Sequence, residues 1–172
     1  LDVANKQLLS LNDGLKYPQW LTFSPYSEKL AYIAGTGRDV ILNKNLELTN
    51  LKGDIHDHSE KGYVDTQPIW LSDELLFCRG PEAQTVADSD IFPGVMVPGQ
   101  RIYKLSQSGN ATALTAGPTD TADYYPNPSP SGEEMIFLRL ERFNQGSLYL
   151  QPINSPEKSV EILRGIRGNP GF

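Results

Sequence analysis

The residues best suited to bind a ligand lie in one short segment, Asp54-Ile55-His56-Asp57-His58. Imidazole and carboxylate groups are common metal ligands, and alternate residues of an extended segment point to the same side. His56 and His58 could therefore reach one metal ion. Two histidines with carboxylates lack the spacing of a closed zinc site, so a solvated polar loop is the favoured interpretation and no metal site is predicted.

Other reactive groups lack the context that catalysis or ion binding requires. Asp88-Ser89-Asp90 is similar to the start of a calcium loop, but the glycine and the terminal glutamate of such a loop are missing. The single cysteine, Cys78, continues the strand-like run Leu75-Leu76-Phe77, which favours a buried and inert thiol. The sequence has no Gly-x-Ser-x-Gly elbow and no phosphate-binding glycine-rich loop. It therefore predicts no catalytic residue and no cofactor.

Composition and charge restrict the elements that can position these groups. The 172 residues include 15 Gly and 13 Pro. Because both residue types interrupt helices, this content favours many short strands over a few long helices. The hydrophobic share of 38% is sufficient for the core of about one domain. Fifteen basic and 21 acidic residues give a net charge of -6, which disfavours binding to nucleic acid. No apolar run approaches the roughly 18 residues of a membrane helix, so no membrane span is expected.

Three segments of the chain share one layout, which is the signature of internal repeats. Each has a stretch with proline and aromatic residues, then a polar turn with serine, then a short apolar strand; the segments are residues 17–33, 67–77 and 125–138. Two further strands follow each segment, at 40–43 and 46–51, at 101–105 and 111–115, and at 147–150 and 159–163. The apolar strands begin at Leu30, Leu75 and Met135, and their spacings of 45 and 60 residues match or exceed the roughly 40–50 residues of a propeller blade.

These repeats predict an all-β fold, namely a β-propeller segment of about three four-stranded antiparallel blades plus one strand of a preceding blade. In such a repeat, successive sheets bury their apolar faces mainly against each other. The inserted stretch 79–100 either covers the end of a neighbouring blade or binds a partner. The predicted units are residues 1–14, the outer strand of a preceding blade; 15–53, the first blade; 54–117, the second blade with the insertion; 118–165, the third blade; and 166–172, the lead into a further blade.

The predicted topology brings acidic loops to one end of the blades. Connections from the second to the third strand, and from the fourth strand to the next blade, emerge at the same rim of an antiparallel blade. We expect this acidic rim to bind a protein partner with a basic surface, or a cation. The candidate binding residues are Asp54, His56, Asp57, His58, Asp65, Asp88, Asp90, Asp120 and Asp123.

The repeat resembles the blade of TolB-like β-propellers, which are related to the WD-type family. The third unit carries the clearest match, through Pro126, Pro128, Ser129, Pro130, Gly132, Ile136 and Phe137. The first unit departs from the pattern at Tyr26-Ser27-Glu28, where the family prefers Asp-Gly, and the second is shortened to Ser72-Asp73. The resemblance covers nearly the whole chain, and because propellers host scaffolds, receptors and enzymes alike, it is informative mainly about fold.

The resemblance also implies a biological setting. TolB-like propellers usually have six blades, so this chain corresponds to about half of one and is either a fragment of a longer protein or one half of a homodimeric ring. The resemblance implies a non-enzymatic module for protein–protein interaction, in a periplasmic or extracellular location. One alternative is the gating or substrate-binding propeller of a larger hydrolase. Another is a carbohydrate-active propeller that uses the region of His56 and His58 with a metal.

Overall fold

The structure of the chain, a computed structural model, describes residues 17–35, 42–50, 52–82, 97–142 and 145–167. The described residues form three four-stranded sheets. Sheet 1 contains β1 (Gln19–Phe23), β2 (Lys29–Gly35), β3 (Lys44–Asn50) and β4 (Ile55–Asp57). Sheet 2 contains β5 (Tyr63–Leu71), β6 (Glu74–Pro81), β7 (Arg101–Leu105) and β8 (Ala111–Ala113). Sheet 3 contains β9 (Ala122–Pro128), β10 (Glu134–Arg142), β11 (Gln145–Pro152) and β12 (Val160–Arg167).

Every sheet has its strands in chain order, and each neighbouring pair is antiparallel. A 3-10 helix at Pro156–Lys158 connects β11 to β12. Among the described residues, no helix has the length and apolar character that crossing a bilayer would require. This architecture confirms the predicted all-β fold and matches part of a β-propeller. The predicted strand at 1–14 and residues 168–172 of the predicted lead lie outside the described residues.

The fourth strand of sheet 1 was assigned wrongly from the sequence. Residues 46–51 were expected to form this strand, but Lys44–Asn50 is the third strand, and Ile55–Asp57 pairs with it as the fourth. Sheet 1 therefore extends beyond residue 53, to Asp57. The physical reason is that all three residues of β4 are exposed, so no alternation of apolar and polar residues marks the strand.

The core lies between the sheets rather than within any one of them. Ala31, Ile33 and Leu46 of sheet 1 pack against a second group in sheet 2, namely Trp70, Leu75, Phe77 and Leu105. The opposite side of sheet 2 packs against sheet 3 through Leu76, Cys78, Ile102 and Leu114 on one side, and Met135, Phe137 and Ile153 on the other. Successive sheets thus bury their apolar faces against each other, as the repeat predicts.

A bulge recurs at one position of the first strand in each sheet. Trp20, Gln67 and Tyr125 have φ values of 49°, 53° and 55°, in the left-handed region that non-glycine residues seldom occupy. In all three sheets the pairing of the first strand with the second shifts register at this position. The three repeats therefore share a strained backbone feature.

Candidate functional site

A buried ion pair joins the first two strands of sheet 2. Asp65 in β5 lies directly opposite Arg79 in β6. The Arg79 Nε donates to Asp65 Oδ1 at 2.6 Å, and Nη2 donates to Oδ2 at 2.9 Å. The same guanidinium donates to the carboxylate of Glu60 at 2.9 Å and to the carbonyl of His58 at 2.6 Å. Arg79 thereby fixes the connection that leads from sheet 1 into sheet 2.

Sheet 3 repeats this arrangement. Asp123 in β9 lies opposite Arg139 in β10, whose Nε and Nη2 donate to its carboxylate at 2.7 and 2.9 Å. Arg139 Nη2 also donates to the carbonyl of Ala116, which precedes Asp123 by seven residues, as His58 precedes Asp65. Arg101 of β7 reaches the same loop from sheet 2 and donates to the carbonyls of Gly117, Pro118 and Thr121. The loop between sheets 2 and 3 is therefore held from two sides.

Both arginines also lie over aromatic rings that belong to the repeat. The guanidinium of Arg79 is 5.0 Å from the ring centroid of Phe77, and that of Arg139 is 5.0 Å from the ring of Tyr149. Such contacts stabilise a cation that burial removes from water. Sheet 1 lacks the motif, because Ala34 takes the arginine position there and Tyr32 Oη instead donates to the Glu47 carboxylate at 2.7 Å.

The surroundings of these pairs shift their proton affinities. Burial opposes the charge of Arg79, but the hydrogen bonds and charges of Asp65 and Glu60 outweigh it and raise the pKa of Arg79. Hydrogen bonds to Asp123 raise the pKa of Arg139. Burial raises the pKa of the Asp65 carboxyl, and the hydrogen bonds from Arg79 act in the opposite direction. Both guanidiniums thus stay charged at any physiological pH.

Two of the predicted binding residues have carboxylates that are already bound by arginines inside the fold. Asp65 is 1% exposed and Asp123 is fully buried, and arginine binds both carboxylates. They are therefore structural residues and do not contribute to an acidic rim. The reason is the register of the repeat, which places each aspartate opposite an arginine of the next strand.

Asp54 lies at the opposite end of sheet 1 from the predicted rim. It occupies the β3–β4 turn, where its carboxylate accepts from Asn50 Nδ2 at 2.7 Å and its N–H donates to Asn50 Oδ1 at 3.0 Å. In consecutive antiparallel strands, this turn shares an end with the β1–β2 turn, here called the turn end. The other end, here called the loop end, carries the β2–β3 connection and the connections between sheets.

The exposed carboxylates of the loop end come from two connections. Asp57 ends β4 and is exposed, and Glu60 and Asp120 are exposed in the connections that lead into sheets 2 and 3. The structure therefore leaves Asp57 and Asp120 as the solvent-facing members of the predicted acidic rim at this end. Asp88 and Asp90 lie outside the described residues.

A cleft between sheets 1 and 2 brings the two histidines together. Its volume is about 330 Å³, and both His56 and His58 line it. The apolar walls come from Leu48, Trp70, Leu75 and Leu105, and polar groups of the turn end surround the opening, among them Lys29, Asn50, Asp73 and the 106–109 turn. Burial and the charge of His56 lower the pKa of His58, while Asp57 and Asp65 act in the opposite direction. The imidazoles thus face the cleft rather than the acidic rim.

Within the part of the chain that the structure describes, no three His, Cys, Asp or Glu side chains converge as a metal site would require. Cys78 is fully buried, as expected from the sequence, and burial raises the pKa of its thiol. Sequence reasoning missed Arg79, Arg101 and Arg139. The repeated triplet Phe-x-Arg, at 77–79 and 137–139, was the signal that could have identified two of them.

Comparison with known proteins supports the fold through solved structures of low sequence identity. No family model matches the sequence. No curated protein matches it either. Among solved structures, the chain is similar to a protein assigned as TolB from Agrobacterium tumefaciens, with a TM-score of 0.63 and 16% identity over 92% of this chain and 53% of that one.

Two oligogalacturonate lyase structures are also similar. One, in complex with manganese, gives a TM-score of 0.62 at 16% identity, and the other, from Vibrio parahaemolyticus, gives 0.53 at 13%. Each match covers 86% of this chain and 36% of the lyase, so the chain spans about a third to a half of the structures it matches. At these identities the likeness concerns the fold alone. The chain therefore has the fold of part of a TolB-like β-propeller.

Proposed function

We propose that this part of a propeller is a non-enzymatic module for protein–protein interaction, and that the exposed carboxylates of the loop end form its contact surface. The observation that carries the proposal is the tethering of the two loops that display them. Arg79 binds the carbonyl of His58 and the carboxylate of Glu60, and Arg101 and Arg139 bind carbonyls between Ala116 and Thr121. A rigid scaffold that holds charged loops is a common basis of recognition.

The charge of this surface fits a basic partner. Asp57 and Asp120 are exposed, and the whole chain carries a net charge of -6. Complementary charge speeds encounter and selects partners more than it adds affinity. An extracytoplasmic location, inferred from the likeness to TolB, belongs to the same proposal and can be checked by cell fractionation.

Charge reversal tests the contact surface. The variant Asp57→Lys/Asp120→Lys and the control Asp73→Lys, which changes an exposed carboxylate at the turn end, would each be used to capture partners from an envelope extract at low salt. We expect the double variant to lose proteins that the wild type and the control both retain. Capture of the same proteins by all three would contradict the proposal.

A second candidate is the propeller of a larger hydrolase or carbohydrate-active enzyme. The observation that favours it is the cleft of about 330 Å³, which combines an indole wall with two imidazoles. Concave sites of this size, with apolar walls and a few polar groups, are typical of small-ligand binding. Titration with uronate oligosaccharides, followed by thermal unfolding, would support this role if the melting temperature rose and would argue against it if nothing changed.

A further inference from the structure

The two histidines of sheet 1 share one face of its edge strand. His56 pairs with Leu48 in β3, and the N–H of His58 donates to the carbonyl of Leu46 at 2.9 Å, which continues the same ladder. Residues opposite each other in a ladder point to the same face. Leu46 and Leu48 belong to the face that packs on sheet 2, so both imidazoles are on that face, in the cleft.

The geometry of β4 suits a chelate. Residues two apart on a strand are about 7 Å apart along it and project to the same side. A metal ion with bonds of about 2.0–2.1 Å to nitrogen can link two such imidazoles. Asp57 lies between the two histidines and projects to the other face, so the chelate would consist of nitrogen ligands.

The imidazoles are available as ligands. Among the described residues, neither ring makes a hydrogen bond, and the side chain of His58 is half-buried against the 106–109 turn. A β-carbon added at Gly109 would lie 3.6 Å from Cε1 of His58, so this turn forms one wall of the site.

We propose that His56 and His58 chelate one late first-row divalent metal ion in the cleft between sheets 1 and 2. Two imidazole ligands favour Cu²⁺ over Ni²⁺ and Zn²⁺, following the general order of divalent affinities. Water completes the coordination, because the described residues place no third His, Cys, Asp or Glu at the site. The chelate uses the face of β4 opposite to Asp57, so its failure would leave the acidic contact surface proposed above standing, and the reverse also holds.

Calorimetric titration of the full chain tests the chelate, with CuSO₄, NiCl₂ and ZnCl₂ each used alone in a non-chelating buffer. We expect one ion per chain, with Cu²⁺ bound most tightly. His56→Gln and His58→Gln should each weaken Ni²⁺ binding about tenfold or more, because loss of one ligand leaves a single imidazole. Glu133→Gln is the control and should stay within about twofold of wild type, because Glu133 is exposed in the β9–β10 turn of sheet 3 and does not line the cleft.

Spectroscopy gives a second measurement, which reports the ligands of the metal directly and does not depend on the stability of the fold. The electron paramagnetic resonance spectrum of the Cu²⁺ complex should show coupling to two imidazole nitrogens, and to one in each single variant. Circular dichroism confirms that the variants are folded. Equal affinity in His56→Gln/His58→Gln, or a spectrum without nitrogen coupling, would identify an adventitious ion only and overturn the proposal.

Discussion

Gln67 and Tyr125 occupy the same bulge position in adjacent sheets and are joined by a hydrogen bond. The N–H of Tyr125 donates to Oε1 of Gln67 at 2.8 Å, and both residues have positive φ, at 55° and 53°. The side chain of one bulge residue therefore accepts a hydrogen bond from the backbone N–H of the equivalent residue in the adjacent sheet. Sheets 2 and 3 are linked at this position by a directional contact in addition to the apolar packing between them.

Removal of the Gln67 acceptor should weaken this link. Gln67→Met keeps the length of the side chain but removes the acceptor of the partly buried Tyr125 N–H, which we expect to lower the free energy of unfolding by about 1 kcal/mol. The control is Gln107→Met, because Gln107 is exposed in the β7–β8 turn. Urea unfolding measures both variants. Equal midpoints for the two would show that the bond contributes nothing.

Loss of the Arg79 side chain should lower the free energy of unfolding more than loss of the Gln67 hydrogen bond does. Arg79→Met leaves the carboxylate of Asp65 buried without its counter-ion, and breaking a buried pair in this way costs about 3–5 kcal/mol. The variant Asp65→Leu/Arg79→Met removes both charges and should recover a large part of that loss. Arg164→Met, at an exposed pair with Glu161, should leave the unfolding curve unchanged. An Arg79 variant as stable as wild type would refute a structural role for the pair.

The fold could be predicted because each repeat buries a strong apolar pattern. The strands that begin near Leu30, Leu75 and Met135 lie at the centres of sheets and carry the residues that adjacent sheets cover. β4 could not be predicted, because its residues are exposed and their sequence matches that of a polar loop equally well. Its pairing depends on the edge of β3, which is a tertiary property.

The site was predicted in part for a related reason. The sequence shows that Asp65 and Asp123 are acidic but not whether their carboxylates face solvent. That depends on the strand register, which places an arginine opposite each one. Alternation along an extended segment allows His56 and His58 to share one side, and both residues line the same cleft. What they face, a cleft against sheet 2, follows from the packing of two sheets and has no local signal.

His58 should make stability depend on pH. Its pKa in the folded chain is lowered from the ordinary value of 6.5, mainly by burial, so the unfolded chain takes up a proton first as the pH falls. Stability is therefore lost as the pH falls through 6.5 towards the folded value, and the effect is absent well above 6.5. The fall in unfolding free energy from about pH 7.5 to about pH 5.5 should be smaller in His58→Gln than in wild type.

His56→Gln gives an intermediate comparison for this measurement, since His56 is exposed on the same strand. His56→Gln also removes the neighbouring charge, which is the second cause of the shift, so its profile should lie between those of wild type and His58→Gln. Identical profiles for wild type and His58→Gln would show that the imidazole does not couple to folding.

The outer face of sheet 3 exposes residues whose counterparts in sheet 2 are buried. Leu76 and Leu114 are at most 7% exposed, whereas Ile136 and Leu163, at the equivalent positions, are 37% and 56% exposed. Apolar patches of this kind usually mark interfaces. We expect another sheet to cover this face, and in solutions of this chain alone the available sheet belongs to a second copy.

Ile136→Asp should therefore reduce self-association. Light scattering of the wild-type chain should give a mass above 19.1 kDa that rises with concentration, and the variant should approach the monomer mass. Tyr63→Asp is the control, because Tyr63 is 38% exposed but belongs to sheet 2, whose two faces are already covered. Because a charge at Ile136 lies outside the core between sheets 2 and 3, the unfolding midpoint should change little at low concentration. A wild-type chain that remains at 19.1 kDa at every concentration would show that the face does not bind a second copy.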